Sequence, residues 1–173
     1  MGAIFMVAAA LWPASGLAQA RHEESPLALY QGRWTSTAHM NDTAFSKAQE
    51  VTAKLSCSWT GDHEFLVCDQ IITDARGTHS QLTVYSYNPD DKSYRYSTIP
   101  SPGMPGMGGK MEVEGHRFVY SGSSEQNGKK TLFRTTNLFS AAGDSYTFVA
   151  EFSTDEGAHW TKMVEGTTKK KTT

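Results

Sequence analysis

Ten short runs of alternating apolar and polar residues, each closed by tight-turn chemistry, constrain this chain more than any other feature. They occupy residues 32–38, 49–59, 64–73, 78–87, 93–99, 110–114, 117–121, 130–140, 145–153 and 159–166. β-Branched and aromatic residues repeating every second position read as strands. Between them lie Asp74-Ala75-Arg76-Gly77, Asn88-Pro89-Asp90-Asp91, Glu114-Gly115, Gln126-Asn127-Gly128 and Ala142-Gly143-Asp144. Gly and Asn there supply positive φ, while Pro and Asp start turns. A short helical piece fits 26–30 or 42–49, and no longer helical period is present. Strands joined by turns this short must pair antiparallel, because parallel crossovers need a dozen or more residues. A sheet of this size closes or splits. The expected fold is therefore all-β, an antiparallel up-and-down barrel of about 8–10 strands. A two-sheet sandwich is the alternative, but its crossings need longer connections.

The first segment reads as a targeting signal. Residues 2–20 carry no charge, and their apolar stretch breaks at Pro13 before Ala18-Gln19-Ala20, a small-x-small cleavage pattern. No Lys or Arg precedes that stretch. A membrane anchor is the competing reading, yet the apolar run falls short of the roughly 20 residues a span requires. The expected layout is a signal at 1–20, a flexible segment at 21–28, one barrel domain at 29–168 and a basic tail at 169–173. Export to the periplasm or beyond follows from the signal. A net charge of −2 argues against nucleic-acid partners. Stable membrane insertion is not expected.

Cys57 and Cys68 are the two cysteines. Their positions centre a hairpin between Asp62 and His63. A loop at 61–64 would pair Thr60 with Phe65 and set Cys57 opposite Cys68. In an oxidising compartment such a pair becomes a structural disulfide. The segment Pro100-Ser101-Pro102-Gly103-Met104-Pro105-Gly106-Met107-Gly108-Gly109 reads as an irregular flap near one barrel end.

Three patches carry a family resemblance. Gly32-Arg33-Trp34, after Leu29 and Tyr30, resembles the Gly-x-Trp opening of lipocalins and other calycins. Tyr85 to Tyr96 is similar to a hairpin of one calycin-like family, and Glu151 to Trp160 forms the third patch. Together, across 29–169, they resemble the domain of unknown function family 1579, a group of exported and cytoplasmic barrel proteins. The resemblance implies a lipocalin-like barrel with an interior binding cavity, structural roles for Gly32 and Trp34, and no known reaction. The Arg that covers this Trp in lipocalins has no counterpart, since no Arg follows Arg134. Lys162 or Lys169 could replace it only in part.

Other motifs have plain structural explanations. Ser153-Thr154-Asp155-Glu156-Gly157-Ala158-His159-Trp160 matches an Asp-box, Ser-x-Asp-x-Gly-x-x-Trp. Asp155 would accept turn N–H bonds, Gly157 take a positive φ and Trp160 pack beneath. One copy cannot build a propeller. Met104, Met107 and Met111 are soft donors that would suit Cu(I), or flexible filler at a barrel mouth. The six histidines are scattered without paired spacing, so no metal or haem ligation is expected. No nucleophile elbow or Cys/His pattern suggests catalysis, and no cofactor is implied.

Strand alternation puts Tyr85, Tyr87, Tyr94, Tyr96, Phe118, Tyr120, Tyr146 and Phe148 on inward faces. Aromatic rings with polar tips suit a chamber that holds and orients a small apolar or amphipathic molecule. The alternative is that these rings simply fill the core, since an eight-stranded interior is just wide enough for that.

Overall fold

A computed structural model describes residues 25–101 and 106–172. The expected signal at 1–20, the start of the flexible segment, Met104 and Thr173 lie outside them. Ten strands among the described residues form one closed antiparallel barrel. They are β1 (Gly32–Met40), β2 (Gln49–Trp59), β3 (Phe65–Asp74), β4 (Gly77–Asn88) and β5 (Ser93–Pro100). The other five are β6 (Gly108–Glu114), β7 (Arg117–Gln126), β8 (Lys129–Phe139), β9 (Ser145–Ser153) and β10 (Thr161–Lys170). Each strand pairs with its neighbours in sequence, and β10 returns to β1 with Trp34 opposite Lys170 and Met40 opposite Val164. Closure leaves no sheet edge exposed, which removes the template for unwanted strand addition. No helix among the described residues is long and apolar enough to cross a membrane.

One barrel end is plugged. A 3-10 helix at Pro26–Tyr30 crosses it, capped by Ser25, whose hydroxyl accepts from the Leu27 N–H. Pro26 suits the first turn because its missing N–H would have no partner there anyway. Leu27 and Tyr30 are buried, and the Tyr30 ring meets Phe118 and Phe139 edge-on, with centroids 5.0 and 4.8 Å away. This helix takes up residues read from sequence as flexible. Two buried apolar side chains anchor it, a pattern too short to show as periodicity. The other helical candidate, 42–49, is a loop that leads into β2 at Gln49 and is held by Thr43, whose Oγ1 accepts from the N–H groups of Phe45 and Ser46.

Trp34 lies directly behind the plug. It is buried, its indole N–H donates to the Tyr30 carbonyl at 2.7 Å, and Phe139 and Tyr146 meet it edge-on. The cation over the ring is Lys170, with Nζ 5.1 Å from the centroid. Neither Lys162 nor Lys169 takes that place. Pairing of Lys170 with Trp34 brings it there, so the basic tail enters β10 rather than beginning at Lys169. Gly32 has φ 119°, and a Cβ there would come within 2.9 Å of the Lys170 side chain.

The hairpin between β2 and β3 has the expected register. Cys57 faces Cys68 and the two form a disulfide, with both side chains buried. The flap is smaller than its composition suggests. Gly108 and Gly109 belong to β6 and pair with Ser97 and Tyr96. Met107 is fastened to Thr98, whose N–H donates to its carbonyl at 2.7 Å, and Ser101 bonds both backbone groups of Ser80.

Candidate functional site

The barrel encloses a cavity of about 480 Å³. Its walls are the inward side chains of the strands, at every second position. They include Ser36 and Ala38 of β1, Ala53 and Leu55 of β2, Gln70 and Ile72 of β3, and Thr83 of β4. Tyr30 of the plug forms the floor together with Tyr85, Tyr120, Asn137 and Tyr146. The opposite end carries the β3–β4 turn, Ser101 and the Asp-box turn, with Met40, Met107 and Met163 around the mouth. Small residues at Ser36, Ala38, Ala53 and Thr83 explain why the barrel is hollow. A larger side chain at those positions would fill it.

Five of the eight aromatic candidates line this space: Tyr85, Tyr96, Tyr120, Tyr146 and Phe148. Three do not. Phe118 is fully buried beneath the plug and belongs to the packed core. Tyr87 and Tyr94 pair with each other, ring centroids 5.0 Å apart, at the plugged end, where Tyr87 is 45% exposed. Alternation assigned their faces correctly but carries no information on depth along the strand. The plug separates these three from the chamber. Tyr30 and Asn137 were missed. Tyr30 precedes the first strand, and Asn137 is a polar residue at an inward position of β8, between half-buried Thr136 and exposed Leu138.

The floor is a hydrogen-bonded group. The Tyr120 hydroxyl donates to the Tyr30 oxygen at 2.5 Å, and the Asn137 side-chain N–H donates to the same oxygen at 2.8 Å. Tyr85 stacks on Tyr30 with centroids 5.4 Å apart, and Tyr96 meets Tyr120 edge-on at 5.1 Å. Burial pushes the Tyr30, Tyr85, Tyr120 and Tyr146 phenols up from their ordinary value. They remain neutral O–H groups at any physiological pH.

Charges occur toward the mouth, in pairs. Arg76 Nη2 lies 2.6 Å from Asp74 Oδ2, with His79 Nε2 3.3 Å from the same guanidinium nitrogen. The Asp74 side chain is 2% exposed, and hydrogen bonding from Arg76 holds its carboxyl below the usual range. At the rim, Arg134 Nε donates to Glu151 at 2.7 Å, and its guanidinium sits 4.0 Å from the Trp160 ring centre.

The Asp-box is a tied turn. Asp155 accepts from the Ser153 hydroxyl and the His159 N–H, while Ser153 accepts from the Gly157 N–H, with Gly157 at φ 94°. Trp160 lies against Gly157 and supports Arg134. The methionines diverge. Met107 is exposed at the mouth, whereas Met111 is buried opposite Tyr94 and Tyr120. Their Cα atoms are four strand positions apart, roughly 13 Å. Lys110 pairs with Asp91 at 3.0 Å, not with the neighbouring glutamates Glu112 and Glu114.

Two solved structures share this architecture. The S-type phycobiliprotein lyase CPES from Guillardia theta matches with a TM-score of 0.54 at 12% identity, covering 90% of this chain and 93% of that one. Rv2717c from M. tuberculosis matches with a TM-score of 0.58 at 14% identity, covering 90% and 99%. The fold is a lipocalin-like barrel. At these identities the likeness is one of fold. No protein-family model and no curated protein sequence matches the chain.

Proposed function

We propose that the protein binds a small apolar or amphipathic molecule inside the barrel. One observation carries this reading: the interior is hollow, with about 480 Å³ enclosed behind a plugged end. That volume falls within the range of small-molecule sites. Aliphatic and aromatic walls with a few convergent polar groups match the usual character of such sites. A barrel selected only for stability would fill this space, because each unfilled pocket forfeits packing energy. That the fold is shared with a phycobiliprotein lyase supports the reading by analogy only.

We further infer that the chain is exported and belongs with the barrel proteins of the domain of unknown function family 1579. The disulfide between Cys57 and Cys68 supports an oxidising compartment. The Gly-x-Trp opening and the tied Asp-box turn support the kinship.

Native mass spectrometry of protein purified from its source tests the binding role. The expected result is an organic adduct that dissociates on activation. A bare polypeptide from the source, still bare after incubation with an apolar fluorophore, would overturn it.

A further inference from the structure

The polar groups at the cavity floor define what one end of the ligand must be. Tyr30 and Tyr120 have two phenolic protons between them, and the single bond joining them uses one. Asn137 approaches Tyr30 as a donor and takes neither. Tyr85 also lies beside the Tyr120 hydroxyl, so three phenols in a row carry three protons for the two contacts between them, and one proton is left over. Tyr85 and Tyr146 bring further phenols to the same floor, where the side-chain acceptors are the Asn137 amide oxygen and the Thr168 hydroxyl beside Tyr146. Phenol oxygens are modest acceptors, so the floor holds more donors than good acceptors. A buried donor left unpaired costs free energy that a ligand acceptor would recover.

The charges narrow the choice further. Each arginine on the wall or rim already faces a carboxylate, Arg76 with Asp74 and Arg134 with Glu151. A charged ligand group at the floor would lie among neutral phenols without a counter-ion, which low-dielectric surroundings penalise strongly. A neutral acceptor oxygen carries no such penalty. It also needs no protein acceptor in return, unlike a hydroxyl or amine.

We propose that the floor recognises a carbonyl oxygen, so that the barrel takes neutral, largely apolar ketones, aldehydes, esters or quinones with that oxygen against Tyr30 and Tyr120. The proposal rests on the interior being the ligand site and adds the chemistry of the bound head. The rest of the molecule would point along the apolar walls toward the mouth.

Three fluorescent naphthalenes of similar size test it. They are the ketone 6-propionyl-2-dimethylaminonaphthalene, its parent 2-dimethylaminonaphthalene without the acyl group, and 6-dimethylamino-2-naphthoate. The ketone should bind tightest. Tyr30→Phe combined with Tyr120→Phe, which removes both phenolic protons, should weaken the ketone roughly three- to tenfold, the loss of one net hydrogen bond, and weaken the parent amine less. Should that variant misfold, the infrared carbonyl stretch of the ketone on the native protein gives the same information. It should lie below its value in an aprotic solvent. Equal binding of all three, preference for the naphthoate, or an unshifted stretch would overturn carbonyl recognition while leaving the interior as a binding site. Failure of every probe to bind would overturn both.

Discussion

Trp34 shows how one residue fixes the plugged end. Its ring fills the space between Phe139 and Tyr146, and its N–H ties the plug helix to the barrel at the Tyr30 carbonyl. Trp34→Ala should cost about 3–5 kcal/mol, the usual penalty for emptying a large aromatic site, read as a lowered urea midpoint. Because Tyr30 floors the chamber, the same variant should also bind the ketone probe less well. Asp74 is a second informative residue. Its folded-state carboxyl titrates below its ordinary value, chiefly through hydrogen bonding from Arg76. A depressed value contributes stability that is fully present above the unfolded value of about 3.9. That contribution is lost as pH falls through the folded value. Urea titrations between pH 7 and pH 3 should show Asp74→Asn losing less stability on acidification than the native chain. Identical acid slopes would show that the Asp74–Arg76 pair contributes nothing.

At the scale of elements, the hairpin of β2 and β3 was the most legible part. Its centre followed from the positions of the two cysteines, and the 61–64 loop implied by that centre is the one that closes Thr60 against Phe65 and Cys57 against Cys68. Closing so short a loop should stabilise by about 2–3 kcal/mol. The double variant Cys57→Ala with Cys68→Ala should show that loss in chemical denaturation while keeping its β-sheet circular dichroism. An unchanged midpoint would mean that sheet pairing already holds the hairpin without the bond. Strand positions were readable because turn chemistry and alternation are local signals. Depth was not. Tyr87 and Tyr94 alternate as Tyr85 and Tyr96 do, yet they lie beyond the plug, and only three-dimensional closure decides that. The plug helix was legible only as a short candidate, since its stability comes from Leu27 and Tyr30 docking on distant strands. Lys170 over Trp34 follows from the register between the first and last strands, a long-range pairing that no local window contains.

For the whole molecule, closure and hollowness are separate properties. Closure follows from ten strands with no spare edge, and the fold likeness to two remote barrels agrees with it. Hollowness follows from the small inward residues around Ala38, Ala53 and Thr83, and sequence alone left a filled core equally open. Ala53 sits on the cavity wall, only partly buried by its neighbours. Filling the chamber from this position is the most direct test of the central claim, that the interior space is the binding site. Titration of the ketone probe into the native protein and into Ala53→Phe should give saturable binding to the first. The second should bind at least tenfold more weakly while keeping its circular dichroism and melting temperature. Equal affinity for the two would contradict the account, because the molecule would then be binding somewhere other than inside the barrel.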